Sequence, residues 1–310
     1  MGGNAFGVME SQGDQMRLSV RQYVRVMVAT AAAAVSSVVA HGSGHGPVFG
    51  AATPTLGKGA WQFDQAWMGQ RMDGPADAGD LLRSMISFGI TQKVQISGSL
   101  PVPLRSGGGM PSGRMMASMS GSPDFEALLG WRFQTRPVGN GARLESTVFV
   151  GGSVPFDSTR GGVSTSPAGF VSVTSGYASR SHYFWAGASH QRHSERSGDR
   201  LGAVTSYSLV YGYRPPAWRL EYPKPDLRFF VEAAGDKTGR ALQDGRSLSD
   251  TGGNVVLLGP TMLLLYKAYG VEGGILFPVY QRTNGLQPAE RFRFGVNFTY
   301  FFWPGKGKGH

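Results

Sequence analysis

The sequence predicts an all-β protein, a single transmembrane antiparallel β-barrel of about 12 strands. Three observations predict it: long segments of alternating apolar and polar residues, connections that are alternately tight and long, and an unusual composition. The chain has 47 Gly, with 11 % aromatic, 41 % hydrophobic and only 16 % charged residues. Gly weakens helix interiors and aromatic residues favour pleated surfaces, so this composition favours strands over helices.

The clearest alternation is in the last segment, "RFRFGVNFTYFFW" (291–303). Successive side chains of a strand point to opposite faces, so the even-numbered residues from Phe292 to Phe302 form an apolar face. The odd-numbered positions from Arg291 to Thr299 form a polar one. A secreted β-sandwich is the alternative, but it would need a second sheet over every apolar face. In a barrel the apolar face meets lipid, and the last aromatics are expected in the interfacial belt.

Eleven further segments alternate in the same way, and most have roughly the length needed to cross a bilayer at a tilt. The twelve segments are 61–71, 82–91, 94–104, 125–135, 143–154, 170–179, 182–190, 201–213, 227–235, 254–267, 269–280 and 291–303. Ordinary globular strands are shorter, with a mode of about five or six residues. The lengths therefore favour membrane-spanning strands.

The connections between these segments predict which rim faces which side. Tight connections at 91–93, 136–141, 179–181 and 267–268 alternate with long Gly-, Ser- and Pro-rich ones. Short periplasmic turns and long extracellular loops are typical of bacterial outer-membrane barrels. One connection, 214–226, should be short and is not, so it either holds a small periplasmic element or indicates an error in the strand count.

The first forty residues predict export. Arg17, Arg21 and Arg25 precede an Ala- and Ser-rich apolar stretch that ends in small residues at Ala40, as in a secretory signal; a membrane anchor is the alternative. We therefore expect residues 1–15 to be upstream sequence from a mis-chosen start, and 16–40 a signal peptide cleaved near Ala40. The segment 41–60 is expected to be periplasmic, 61–303 the barrel and 304–310 a C-terminal tail. The absence of Cys excludes disulfides and Cys-based metal sites.

Two resemblances follow. The segment "RFGVNFTY" is similar to the outer-membrane insertion signal of such barrels, which implies recognition by the barrel-assembly machinery. The residues expected to carry this signal are Arg293, Gly295, Phe298, Tyr300 and Phe302. More broadly, "HGPVFG", "GITQKVQISGSLPVPL", "DTGGNVVLLGPTMLLLY" and "GGILFPVYQRTNG" resemble outer-membrane barrels labelled as transporters of the phenol-degradation meta-pathway type.

The family resemblance implies a Gram-negative outer-membrane location and a porin-like channel for passive passage of small solutes, with aromatic solutes as candidates. It brings no catalytic residues and no cofactor. The implied partners are the solute, outer-membrane lipid and lipopolysaccharide. The net charge of +10 would otherwise suggest nucleic acid, but export removes that partner.

Polar residues opposite the apolar faces are expected to line the lumen. Our candidates are Glu126, Arg132, Arg143, Glu145, Arg228, Glu232, Glu272, Arg291, Arg293 and Asn297. They predict either a somewhat basic path for small solutes, with anions as candidates, or a mutually paired network of Arg and Glu that satisfies buried charge. About twelve strands is intermediate between a filled barrel and an open channel, so gating by inward-folded segments is expected.

Two other functions have weaker support. His41 and His45 could hold copper beside a free amine, with soft ligands from Met110, Met115, Met116 and Met119; a mobile tail and apolar padding are the alternatives. A plugged structural or copper-binding barrel is therefore the alternative function. Barrel hydrolases place a His two residues before a nucleophilic Ser, whereas here His193 and Ser194 are adjacent and would point to opposite faces. We therefore predict no enzyme.

Overall fold

The computed structural model describes residues 46–74, 78–106, 124–139, 141–160, 162–219 and 224–303. Twelve antiparallel strands close into one barrel, which confirms the predicted fold class and strand number. The strands are β1 (Trp61–Met72), β2 (Ala78–Gly89), β3 (Val94–Ser106), β4 (Phe125–Gly139), β5 (Ala142–Val154), β6 (Ala168–Ala178), β7 (His182–His193), β8 (Val204–Tyr213), β9 (Asp226–Thr238), β10 (Gly253–Tyr266), β11 (Tyr269–Thr283) and β12 (Glu290–Phe302). Within the described ranges, no helix has the length and apolar character needed to cross a membrane.

The barrel closes where β1 pairs with both β2 and β12. Trp61 lies opposite Phe88 on one side and Phe302 on the other. Closure gives every strand of the barrel two neighbours, so the barrel has no edge strand. This is the arrangement that lets a sheet present apolar side chains to hydrocarbon.

The predicted alternation separates an apolar outer face from a mixed inner face. On β8, Leu209 points outward and is 54 % exposed, whereas its neighbour Val210 points inward and is 1 % exposed. On β12, Val296 and Phe298 point outward, and Arg293 and Thr299 are buried inside. The outer face thus has the exposed apolar band that a lipid-facing surface requires.

Short and long connections lie at opposite rims, as the sequence predicts. The short-turn rim carries the turns after β2, β4, β6 and β10, together with the start of β1 and the end of β12. The connection 214–225 also lies at this rim. Its described part contains a short 3-10 helix, Pro216–Trp218, and no strand, so the count of twelve barrel strands is unaffected.

Three loops at the long-loop rim pack together into a structured layer, here called the loop cap (residues 155–160, 162–167, 194–203 and 239–252). Val163, Leu201 and Ala241, one from each loop, are buried in a common cluster. The carboxylate of Asp199 accepts the backbone N–H groups of Ser164 and Asp244, both at 2.9 Å. The side chain of Asp199 therefore links the three loops of the cap.

The described part of the segment expected to be periplasmic, 46–60, lies inside the barrel instead. Phe49, Leu56 and Ala60 are 1 %, 3 % and 0 % exposed, and the wall side chains that contact the segment belong to strands around the whole lumen. A barrel of this strand number has interior space that its own side chains do not fill, and this segment occupies part of it. We call residues 46–60 the N-terminal plug.

Two close approaches between plug and wall require Gly. A Cβ added to Gly89 of β2 would lie 2.0 Å from the carbonyl oxygen of Gly57. A Cβ added to Gly50 of the plug would lie 2.1 Å from Cγ2 of Val210. Both distances are well inside van der Waals contact, so the absence of a side chain sets how closely the plug fits the wall.

Candidate functional site

The main tether between plug and wall is the carboxylate of Glu232 on β9. Its Oε1 accepts the backbone N–H of Val48 at 2.8 Å, and its Oε2 accepts those of Phe49 at 2.8 Å and Gly50 at 2.6 Å. The hydroxyl of Thr261 on β10 also donates to Oε1. Glu232 is 0 % exposed, and such a buried carboxylate needs donors of this kind to offset its lost hydration.

A second tether surrounds Thr53 of the plug. Its hydroxyl donates to Oε2 of Glu145 at 3.2 Å and accepts the indole N–H of Trp185 at 3.2 Å. The hydroxyl of Thr147 donates to the carbonyl oxygen of Thr53 at 2.5 Å. Glu145 is itself held by Arg132 at 2.9 Å, so a wall ion pair continues into the plug contact.

The C-terminal end of the plug is fixed at the short-turn rim. The backbone N–H of Leu56 donates to Oε1 of Gln95 on β3 at 2.9 Å. Gly59 donates to the carbonyl of Gly89 at 2.8 Å, and Gly89 donates back to Ala60 at 2.9 Å. The plug thus leads directly into β1 along β2, while its N-terminal part reaches β9 on the far wall.

The plug does not fill the lumen. A cavity of about 120 Å³ remains between the plug and the wall formed by β1–β6, β11 and β12. Its polar side includes Asp64, Glu272 and Asn297, and its apolar side includes Phe149 and Phe170. Asp64 is held by wall side chains, accepting Gln62 Nε2–H at 2.8 Å and a hydroxyl bond from Thr299.

A paired network lies farther toward the long-loop rim. Arg293 of β12 donates to Oε1 and Oε2 of Glu290 at 2.5 and 3.0 Å, and to Oδ2 of Asp236 at 2.7 Å. The hydroxyl of Ser206 donates to Oδ1 of Asp236 at 2.8 Å. All three charged groups are buried, and the one positive charge of Arg293 is paired with two carboxylates, so it does not form a free basic lining.

The lumen candidates from the sequence form three groups, which are buried, partly buried and exposed. Glu126, Glu145, Glu232, Glu272 and Arg293 are buried inside the barrel, and Arg132, Arg228 and Asn297 are inward and partly buried. Arg228 pairs with Asp226 at 2.8 Å. Arg143 is half exposed beside Glu145, whereas Arg291 is exposed at the long-loop rim, 3.7 Å from Asp73. The structure brings Arg132, Arg143 and Glu145 together but places Arg291 away from that group.

Other residues of the predicted insertion signal keep the alternation of β12. Phe298, Tyr300 and Phe302 lie on the outer face, and Gly295 lies on the inner face with Arg293. Their recognition by the assembly machinery stays a prediction. The candidate copper ligands His41, His45, Met110, Met115, Met116 and Met119 lie outside the described residues. In the part of the chain that is described, no group of three or more His, Cys, Asp or Glu side chains could hold a metal ion.

The hydrolase candidates do not assemble into a catalytic pair. His190 points outward and bonds to the hydroxyl of Thr205 at 2.9 Å, whereas His193 is buried inside the barrel at the end of β7. Ser194 follows in the loop, where its carbonyl accepts the hydroxyl of Ser166. No base and nucleophile therefore share one wall in this stretch.

Sequence reasoning missed several inward charged residues, among them Asp64, Arg83, Asp236 and Glu290. Asp64 shares the alternation of Ala66 and Met68 on β1, so it was available from the periodicity alone. The plug gave no such signal, because 46–60 is a Gly- and Pro-containing stretch without alternation, and several of its hydrogen bonds to the wall come from backbone N–H groups.

The barrel matches solved structures of the same architecture. An outer-membrane channel from Pseudomonas putida F1 aligns with a TM-score of 0.56 at 11 % identity, covering 80 % of this chain and 97 % of that one. The fold is that of an outer-membrane β-barrel. The NanC porin aligns with a TM-score of 0.46 at 10 % identity, covering 76 % and 98 %. No protein-family model and no curated protein sequence matches the chain. The resemblance to the phenol meta-pathway transporters therefore stays a hypothesis.

Proposed function

We propose that the protein is an outer-membrane channel for the passive passage of small solutes and that the N-terminal plug closes its lumen. The short-turn rim then faces the periplasm and the loop cap faces outside the cell. The solute gradient supplies the driving force. The observation that carries the proposal is the Glu232 tether, because a single carboxylate binds three consecutive N–H groups of a segment that belongs to no barrel strand.

Hydrogen bonds make this tether reversible in a way that apolar packing of a filled core is not. Each bond to a charged group contributes about 1.5–3 kcal/mol, and each 1.4 kcal/mol changes an equilibrium about tenfold. The population with the plug displaced therefore depends steeply on this one side chain. Selectivity comes from the charge and width of the space that the plug leaves.

The second candidate is a permanently plugged structural barrel. Phe49 favours it, because this plug side chain is 1 % exposed and packs in a cluster with Met68, Leu81 and Leu276 of the wall. Displacing the plug would expose Phe49 and part of that cluster. A copper-binding version of this candidate depends on His41 and His45, which lie outside the described residues.

Single-channel conductance in planar lipid bilayers separates the two candidates. We expect the unmodified protein to be mostly closed and Glu232→Gln to raise its open probability at least tenfold. A Gln side chain keeps one acceptor oxygen but directs an NH₂ donor at backbone N–H groups of the plug. Glu126→Gln is the matched control, since it also removes a buried carboxylate, and that carboxylate accepts a hydrogen bond from Ser99 of the wall.

A stably inserted Glu232→Gln variant that conducts no more than the unmodified protein would support the structural barrel. Equal increases in Glu232→Gln and Glu126→Gln would also contradict the tether, because they would show a general effect of lumen charge. Far-UV circular dichroism and the mobility shift of unheated samples in gel electrophoresis check that each variant has folded.

A further inference from the structure

The cavity beside the plug has the size of a small organic molecule. Its volume of about 120 Å³ is close to the roughly 150 Å³ of an engineered protein cavity that takes benzene. Unlike such a cavity, it is lined on one side by ionisable groups. Its shape is set by two independent surfaces, the plug and the barrel wall.

The polar side of the cavity carries an excess of negative charge. Asp64 and Glu272 both line it, and both are buried, at 1 % and 6 % exposure. The guanidinium of Arg83 lies within electrostatic range of Asp64, Glu126 and Glu272 but does not line the cavity. Among the described residues, the cavity lining thus contains two carboxyl groups and no Lys or Arg side chain.

A buried hydroxyl of the plug adds a second polar feature. Thr55 lines the cavity and is 2 % exposed, and its Oγ1 has no hydrogen-bond partner among the described residues. Buried hydroxyls are usually paired, so this one is available to a ligand. It is contributed by the plug, whereas the carboxyl groups are contributed by the wall.

The opposite side of the cavity is apolar. Phe149 of β5, Phe170 of β6 and Leu128 of β4 line it. Aromatic faces attract cations as well as apolar groups, because the ring carries partial negative charge on its faces. A ligand that fits both sides has a positive group at one end and a compact apolar body at the other.

We propose that this cavity binds a small organic cation, an amine with a single aromatic ring or a body of similar size. An ammonium group offers three donors and one positive charge, which match the carboxyl oxygens of Asp64 and Glu272. An anion of the same shape would meet like charge, and a neutral analogue would bring no positive charge to the two carboxyl groups. The proposal names a solute class for the proposed channel and rests on that function only for the step from binding to passage.

Isothermal titration calorimetry on the full chain in detergent micelles tests the binding. The probes are benzylamine, benzyl alcohol and benzoate, which share a ring and differ in charge. We expect benzylamine to bind at least tenfold more tightly than benzyl alcohol, and benzoate to bind more weakly than either. Glu272→Gln and Asp64→Asn should each weaken benzylamine binding about tenfold, whereas Glu195→Gln, the same chemical change on an exposed loop residue, should leave it unchanged.

The proposal is overturned if benzoate or benzyl alcohol binds as well as benzylamine, or if folded Glu272→Gln and Asp64→Asn both bind benzylamine normally. Should both variants fail to fold, the order of the three probes on the unmodified protein still decides. Binding needs no open channel, so benzylamine binding to a barrel that never conducts would contradict the proposed channel and leave the cation site standing. Conductance without benzylamine binding would contradict the cation site and leave the proposed channel standing.

Discussion

The two sides of the lumen wall use buried carboxyl groups in different ways. On the tethering side, formed by β5 and β7–β9, Glu145 and Glu232 accept donors from the plug. On the cavity side, Asp64 of β1 and Glu272 of β11 face space that the plug leaves. All four side chains occupy inward positions of the same alternating pattern. The difference shows that a carboxylate's role here depends on whether backbone N–H and hydroxyl groups of the plug reach it.

The largest expected effect comes from locking the plug to the tethering side. The chain has no Cys, so the pair Ala51→Cys and Gly187→Cys would be its only thiols. A Cβ built on Gly187 lies 2.9 Å from Cβ of Ala51, and a disulfide needs about 3.5–4.5 Å, so a shift of roughly an ångström suffices. We expect the oxidised protein to show no plug-dependent openings in bilayers, and dithiothreitol to restore them.

Each single Cys variant is the control for the lock, because it carries the same substitution without the cross-link. Combining the lock with Glu232→Gln sharpens the comparison further. One outcome is that the combined variant, after oxidation, opens as often as the Glu232→Gln variant without the lock. That result would show that solutes pass along the cavity side without plug displacement. The tethering side would then not be the gate.

A smaller effect distinguishes the two sides by the sign of a stability change. Glu145→Gln removes the charge that pairs with Arg132 at 2.9 Å and Arg143 at 3.0 Å, so we expect it to lower the free energy of unfolding by about 2 kcal/mol. Arg143 is half exposed and limits the loss through solvent screening. Glu272→Gln removes one of three carboxyl groups around Arg83, so we expect stability to stay within about 0.5 kcal/mol or to rise.

Urea-induced unfolding in micelles, followed by tryptophan fluorescence, measures both changes. A loss of stability in Glu272→Gln as large as that in Glu145→Gln would show that the cavity-side carboxyl group is structural. It would remove the electrostatic contrast between the two sides. The two substitutions are matched because each converts one buried Glu on an inward position into Gln.

The sequence predicted the wall much better than the lumen contents. Alternation predicted the outer face of β8 and β12 because each strand crosses one apolar medium, so its side chains repeat with period two. The same periodicity placed Glu145 and Glu232 inside. It could not reveal that Val48, Phe49 and Gly50 bind Glu232, because backbone N–H groups leave no mark on residue type. Nor could it join Asp64 to Glu272, since their proximity depends on closure between β1 and β12.

The smallest expected effect concerns the loop cap and tests whether it opens independently of the plug. Hydrogen bonds from Ser164, from its side chain first and then its backbone N–H, together with the N–H of Asp244, lower the pKa of Asp199. A lowered pKa means that the carboxylate stabilises the cap above its ordinary pKa of about 3.9 and that this contribution is lost as the pH falls through the lowered value.

We therefore expect backbone amides of residues 159–164 and 242–247 to exchange with deuterium faster at acid pH, after correction for intrinsic rates. Amides of the plug should keep their protection over the same range. Asp199→Asn should increase cap exchange at neutral pH and remove its acid dependence, because the amide does not titrate. If plug amides lose protection in step with the cap, the two ends of the lumen open as one unit, and a tether on one side of the wall would no longer be a sufficient description of the gate.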